Sequence, residues 1–202
     1  VIYNAIDNQK FPPADEALRQ RLREQYQIPQ QAHCLIFVGS GFERKGLAAA
    51  IRAVAATDSH LLVVGKDKAE KRYRALAQSL GCGDRVHFMG VQKQTLPFYQ
   101  AADALLLPTL YDPFPNVILE AMSCGLPVIT STTCGGAEFI TPGQNGFVTD
   151  ALDVPAIAEA IRALPRQALG SSMGEAARLR IMPATPAHLS EQLISLYNRL
   201  LD

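Results

Sequence analysis

Between residues 34 and 130 the chain carries a series of short apolar runs of strand length, separated by stretches whose apolar residues recur at helical spacing. Cys34-Leu35-Ile36-Phe37-Val38 closes on Gly39-Ser40-Gly41, Leu61–Val64 on Gly65, and Arg85–Phe88 on Gly90, with further runs at Ala104–Leu107 and Pro127–Thr130. Continuous runs without polar alternation fit strands that are covered on both faces. Helices are expected at Gly46–Ala56 and at about 69–80, 95–101 and 115–123. The repeated strand-helix unit implies right-handed crossovers, and hence an α/β fold with a parallel sheet and helices on both faces. Sheets of this kind bind ligands at the carboxyl ends of their strands. The loops after Val38, Val64, Phe88, Leu107 and Thr130 are therefore where chemistry is expected.

The remaining chain fits around that unit. Ala14–Tyr26, after Pro12-Pro13, reads as an exposed amphipathic helix, and Pro108–Phe114 reads as a loop. A glycine-rich loop at Cys134–Gly136, a short helix and a turn at Pro142–Gly146 lead into helices that run to the end. With 202 residues, one domain is expected: an α/β core over 1–164 and C-terminal helices over 165–202, where Leu189, Leu193, Leu196 and Leu200 share a face. The chain begins at Val1, which suggests a processed product or a piece of something larger.

Composition excludes several function classes. Lys plus Arg equals Asp plus Glu at 19 each, which gives the whole chain no electrostatic reason to bind nucleic acid. The basic cluster Lys66, Lys68, Lys71, Arg72 and Arg74 is diluted by Asp67 and Glu70 and reads as a solvated helix face. No apolar stretch approaches the roughly 20 residues that cross a bilayer, and no secretory signal is visible. Cys34, Cys82, Cys124 and Cys134 form no C-x-x-C pair, and His33, His60, His87 and His188 have no metal-ligand spacing. Packed reduced thiols and no metal site are expected.

The loop Gly39-Ser40-Gly41-Phe42-Glu43-Arg44-Lys45-Gly46 follows a buried strand and opens a helix, the setting of a phosphate motif. A dinucleotide fingerprint fails because Arg44 stands where its third glycine belongs, and a Walker A loop fails because Leu47 replaces the lysine. What remains is Arg44 and Lys45 beside a helix amino terminus, where backbone N–H groups favour an anion. The residues alone leave open whether these cations meet a phosphate or are surface charge.

The segment Tyr111-Asp112-Pro113-Phe114-Pro115-Asn116-Val117-Ile118-Leu119-Glu120 is the sharpest feature. Pro113 keeps Asp112 extended and Pro115 suits a helix start, so first-turn N–H groups fall near Asn116 and Val117. Glu120 interrupts an apolar stretch one turn in, where a carboxylate must reach solvent or bind donors such as ligand hydroxyls. Two acids around such a terminus match the hydroxyl, diphosphate and ribose groups of a nucleotide sugar. As an isolated pair, they are better read as a turn residue and a helix-surface acid.

This segment resembles the E-x7-E region of the retaining glycosyltransferases of family 4, and Leu119–Val128 is very close to that family's wording. Further motifs agree in order: Val1–Asp7 is similar to the lead-in of the carboxyl-terminal domain, Phe37–Gly39 with Lys45-Gly46 to the phosphate loop, and Arg85–Gly90 to the base-binding strand end. Cys134–Glu138 and Asn145–Val148 are similar to later loops, so the resemblance spans Val1 to about Asp150. Gly-x-x-x-x-Arg-Lys-Gly and Val-Gly-Lys-Asp-Lys resemble the lipopolysaccharide core glucosyltransferase I group in particular. Two departures stand out: Asp112 replaces the first glutamate, and Ser40 replaces a frequent arginine.

The resemblance implies one Rossmann-like half of a GT-B enzyme, the half that holds the nucleotide-sugar donor, with the N-terminal acceptor domain absent. It implies that Lys45 and Arg44 meet the departing diphosphate, helped by Asn116 and Val117 at the helix terminus. Asp112 is implied to hold sugar hydroxyls and Glu120 the ribose. Gly39, Ser40, Gly41 and Gly65 would line the donor, and Gly90 and Val91 would read the base. The expected reaction is metal-independent, retaining transfer of a hexose to a lipid-linked lipopolysaccharide core saccharide. The expected hexose source is UDP-glucose, which is a substrate, so no cofactor is expected. This fragment would bind donor with little turnover, and the full-length protein would work in the cytoplasm, peripherally on the cytoplasmic face of the inner membrane. Alternatives are a non-catalytic nucleotide-sugar or interaction module and a GT-B nucleotide-sugar epimerase.

Overall fold

The computed structural model describes residues 2–201, so Val1 of the Val1–Asp7 stretch lies outside the described residues. Its six strands are β1 (Cys34–Val38), β2 (His60–Val64), β3 (Val86–Gly90), β4 (Ala104–Leu107), β5 (Val128–Ser131) and β6 (Gly146–Thr149). They form one sheet in the order β3-β2-β1-β4-β5-β6, with every neighbouring pair parallel. Leu35 sits between Leu61 of β2 and Ala104 of β4, and every residue of β1 and β4 is buried. This is the burial that continuous apolar runs require.

The helices are α1 (Glu16–Gln25), α2 (Leu47–Ala55), α3 (Glu70–Ser79), α4 (Leu96–Ala101), α5 (Asn116–Ser123), α6 (Val154–Ala163), α7 (Ser172–Ile181) and α8 (Pro186–Leu201). Helix α2 packs against α3 and α6, α1 against α4, and α5 against α7. Right-handed crossovers put α2 and α3 on one face of the sheet and α4 and α5 on the other. The chain steps outward from β1 through β2 to β3, then returns through α4 to lay β4 on the opposite flank of β1. That reversal brings the loops after β1 and β4 together at the carboxyl ends of the strands, the place where open sheets of this kind bind ligands.

Two features differ from the sequence expectation. The stretch after the Pro142–Gly146 turn is a sixth strand, not the start of a helix: Gly146–Thr149 pairs with Val128–Ser131. This edge strand opens on a glycine and buries only that residue, so no apolar run marks it. Helix α1 is not simply exposed either, because Arg19 and Arg23 are buried along with Leu22. Their guanidinium groups converge on the fully buried Asp103, just before β4: Arg23 donates to Oδ2 at 2.6 Å and Arg19 to Oδ1. The Cys34 N–H donates to Asp103 Oδ2 at 2.8 Å, and Arg23 also donates to the carbonyls of Ala101, Pro29, Gln30 and Ala32. A paired and fully hydrogen-bonded charge is the form in which a buried ion is tolerated.

All four cysteines are free and buried. Burial pushes the Cys34 thiol up to about 12 and raises the other three as well, which leaves inert packed thiols. His60 Nδ1 and His87 Nε2 hydrogen-bond across β2 and β3 at 3.1 Å, and burial holds both imidazoles below their ordinary value.

Candidate functional site

The loops after β1 and β4 meet in the crevice. The Arg44 carbonyl accepts from the Leu110 N–H at 2.8 Å and from Thr109 Oγ1 at 3.0 Å, which fastens one loop to the other. Lys45 lies across Gly39 with only 8% of its surface exposed. A Cβ at Gly39 would fall 2.5 Å from the Lys45 Cδ and Cε, and φ there is +143°, so a side chain would be strained and would displace the lysine. A Cβ at Gly65 would fall 2.0 Å from the Gly39 carbonyl, which explains why β2 also ends on glycine.

Arg44 and Lys45 both turn toward the β4 loop. Lys45 Nζ donates to Asp112 Oδ2 at 3.1 Å, and Arg44 Nη1 donates to the same oxygen at 3.2 Å and to the Tyr111 carbonyl at 2.7 Å. Asp112 is 7% exposed, and its Oδ1 makes no hydrogen bond among the described residues. Its carbonyl accepts from the Gly135 N–H at 2.9 Å, and its backbone bridges to Cys134, so the carboxylate stands on a fixed base. Asp67, after β2, accepts from the Phe42 and Ala69 N–H groups at 2.9 and 2.8 Å and braces the β1 loop from behind. Those two donors hold its carboxyl below the usual range, the Ala69 bond contributing most.

Helix α5 begins at Asn116 behind Pro115, and no side chain caps it. The first-turn N–H groups of Asn116 and Val117 therefore have no intrahelical acceptor. Asn4 Nδ2 donates to Asn116 Oδ1 at 2.8 Å, tying the amino-terminal segment to this turn. One turn on, half-buried Glu120 accepts from the Tyr99 hydroxyl of α4 at 2.8 Å. Desolvation raises the Glu120 pKa, and the Tyr99 bond offsets part of that rise. Its Oε1 makes no hydrogen bond among the described residues, so one oxygen is fixed and the other is available to a ligand hydroxyl.

The structure thus brings Lys45, Arg44 and Asp112 into contact over Gly39, with Gly65 directly beneath. Ser40 and Gly41 are exposed on the same loop. Gly90 and Val91 are not in contact with that group: they end β3, two strands away, linked through the Gly65 N–H that donates to the Gly90 carbonyl at 2.9 Å. Val91 is 70% exposed. Sequence reasoning did not single out Tyr99, Asp67 or Asn4 for the site. Tyr99 looks like any core aromatic in a short helix, and Asp67 looks like one charge in a mixed cluster. Among the described residues, no three His, Cys, Asp or Glu side chains gather as a metal site would require.

Residues 19–180 match the family of glycosyl transferases group 1. The chain belongs to that family. Lipopolysaccharide glucosyltransferase WaaG of Escherichia coli (strain K12) is 38% identical over 136 residues, which is 64% of this chain and 36% of WaaG. The crystal structure of WaaG, a glycosyltransferase involved in lipopolysaccharide biosynthesis, aligns with a TM-score of 0.78 at 31% identity, covering 96% of this chain and 54% of that one. Sucrose-phosphate synthase from Thermosynechococcus elongatus aligns with a TM-score of 0.85 at 29% identity over 99% of this chain and 52% of that one. The family and the GT-B half expected from the E-x7-E wording are thus shown, and the chain spans about half or less of the length of these relatives.

Proposed function

We propose that this chain is the donor-binding half of a retaining glycosyltransferase, a single domain with its α/β core over 1–164 and C-terminal helices over 165–202. The observation that carries this reading is the meeting of Lys45, Arg44 and Asp112 where the strand order reverses, close before the uncapped start of α5. Two cations and first-turn N–H groups complement a diphosphate, and placing them where charge develops on the leaving group is the electrostatic contribution a transferase needs. The free oxygen of Glu120 takes a ribose hydroxyl and Asp112 takes hydroxyls of the transferred sugar. Gly90 and Val91 border the base, with Gly39, Ser40, Gly41 and Gly65 admitting the donor close to the backbone.

The donor is UDP-glucose, used as a substrate with no cofactor, and the glucosyl group passes to a lipid-linked lipopolysaccharide core saccharide with its anomeric configuration retained. The likeness to WaaG supports this choice. The acceptor pocket lies on an amino-terminal domain absent from this chain, so the chain alone binds donor and transfers little. The complete protein works in the cytoplasm, peripherally on the cytoplasmic face of the inner membrane, and none of the described helices is long and apolar enough to span it. Lys45 and Arg44 meet the departing diphosphate, so transfer by the complete protein persists in EDTA.

Calorimetric titration with UDP, UDP-glucose, UDP-galactose and GDP-mannose tests the reading, repeated on Lys45→Ala and Glu120→Ala. Selective binding of the uridine nucleotides, lost in both variants, is the expected result. Equal binding by the two variants and the parent chain would remove these residues from the donor site.

A further inference from the structure

Lys45 and Arg44 are paired with a carboxylate of the chain itself. Lys45 and Asp112 are both more than nine-tenths buried, and Lys45 and Arg44 converge on one oxygen, Oδ2, while Oδ1 is left without a partner. An unpaired ammonium at such a depth would cost several kcal/mol, so a cation needs a counter-ion there before any donor arrives. The three groups carry a net charge of about +1, whereas the two cations alone would carry about +2 and attract a diphosphate correspondingly more strongly.

Mobility is unequal across the cluster. Asp112 sits on a short side chain whose backbone is held by Gly135 and Cys134 and followed by Pro113. Lys45 has a four-carbon arm, and the Arg44 side chain is 49% exposed. Of the three groups, the two cations have the longer reach.

We propose, building on the donor-site reading above, that Asp112 is an internal counter-anion: it holds Lys45 and Arg44 before the donor binds and yields them to the donor's diphosphate. Its carboxylate is thereby freed for the sugar that arrives with that diphosphate. The exchange makes UDP a poorer ligand than the nucleotide sugar, because its phosphates must take cations from Asp112 without bringing hexose hydroxyls to that carboxylate in return. A nucleotide sugar supplies both. Asp112 thus sets the preference for donor over spent nucleotide by its own contacts, and no covalent step is involved.

The test is titration of the full chain and of Asp112→Asn with UDP and with UDP-glucose at two salt concentrations, with melting temperatures measured in parallel. Asp112→Asn is expected to bind UDP roughly fivefold more tightly than the parent, as removal of one competing charge predicts, with a steeper salt dependence. It is also expected to melt lower when empty, to gain more from UDP, and to lose much of its preference for UDP-glucose. A merely structural role would lower the melting temperature without raising UDP affinity. Equal or weaker UDP binding by folded Asp112→Asn, with the parent binding normally and Lys45→Ala not, overturns the exchange and leaves the donor site standing. If neither chain binds any uridine nucleotide while folded, both readings fall. Should Asp112→Asn fold poorly, Asp112→Ser carries the same comparison. Asp112→Glu keeps the charge and must stay near the parent's UDP affinity; a gain in Asp112→Glu equal to that of a neutral variant also overturns the exchange.

Discussion

Replacing Asp103 by asparagine keeps the shape of the side chain and removes the charge on which Arg19 and Arg23 converge. Asp103 is fully buried and accepts three hydrogen bonds, from Arg19, Arg23 and the Cys34 N–H. Asparagine keeps one acceptor oxygen and turns an N–H₂ group toward donors. Arg23 retains its four carbonyl acceptors, but its charge loses its compensating ion. Breaking a buried pair in this way costs about 3–5 kcal/mol. At roughly 2–4 °C per kcal/mol for a chain of this size, the melting temperature should fall by about 6–20 °C. Urea denaturation followed by circular dichroism, with calorimetric melting, measures both quantities. A loss below about 1 kcal/mol would show that Arg23's carbonyl shell suffices and that the carboxylate is dispensable.

Further outcomes are expected. Gly39→Ala places a methyl group against the Lys45 side chain and should weaken UDP binding at least tenfold, read by calorimetry, while the chain still folds. Tyr99→Phe removes the bond that restrains the Glu120 pKa, so Glu120 should titrate still higher and the acid-side loss of UDP-glucose affinity should move to higher pH. The His60 and His87 imidazoles are held below their ordinary value in the folded chain, so the unfolded chain takes up protons first on acidification. Their contribution to stability is present above the unfolded value of about 6.5 and is lost as pH falls from there through their lower folded values. A urea midpoint that did not drop between pH 7 and pH 5, or that dropped equally in a His60→Gln, His87→Gln double variant, would refute that origin.

The sheet was legible because each of its four central strands is covered on both faces and so spells itself as an apolar run. β6 was hidden because it is an edge strand that opens on a glycine and buries only that residue, so no apolar run marks it. Asp112 and Glu120 were visible because each breaks a pattern, one before a proline and the other inside an apolar helix. What the chain order conceals is pairing across distance. Nothing local marks Tyr99 as the partner of Glu120, or Asp67 as the brace of Phe42, since both bonds exist only once α4 and the β2 loop have been brought to their neighbours. Arg19 and Arg23 misled for the same reason: charge at helical spacing signals a wet face unless an acid at position 103 is known to lie beneath it.

The return of the chain from β3 to β4 has a consequence for dissection. Lys45 and Asp112 lie 67 positions apart and are joined across that return. A cut in the loop around Lys93, which is exposed between β3 and α4, would produce two pieces, each carrying one side of the crevice. Neither piece would hold a nucleotide alone. Mixed together they would have the β1 and β4 edges to zip, and a ligand spanning both pieces would act as glue, its binding energy added to the reassembly. Nucleotide-dependent complementation of the two pieces would make the crevice a reporter of when the central strands come together.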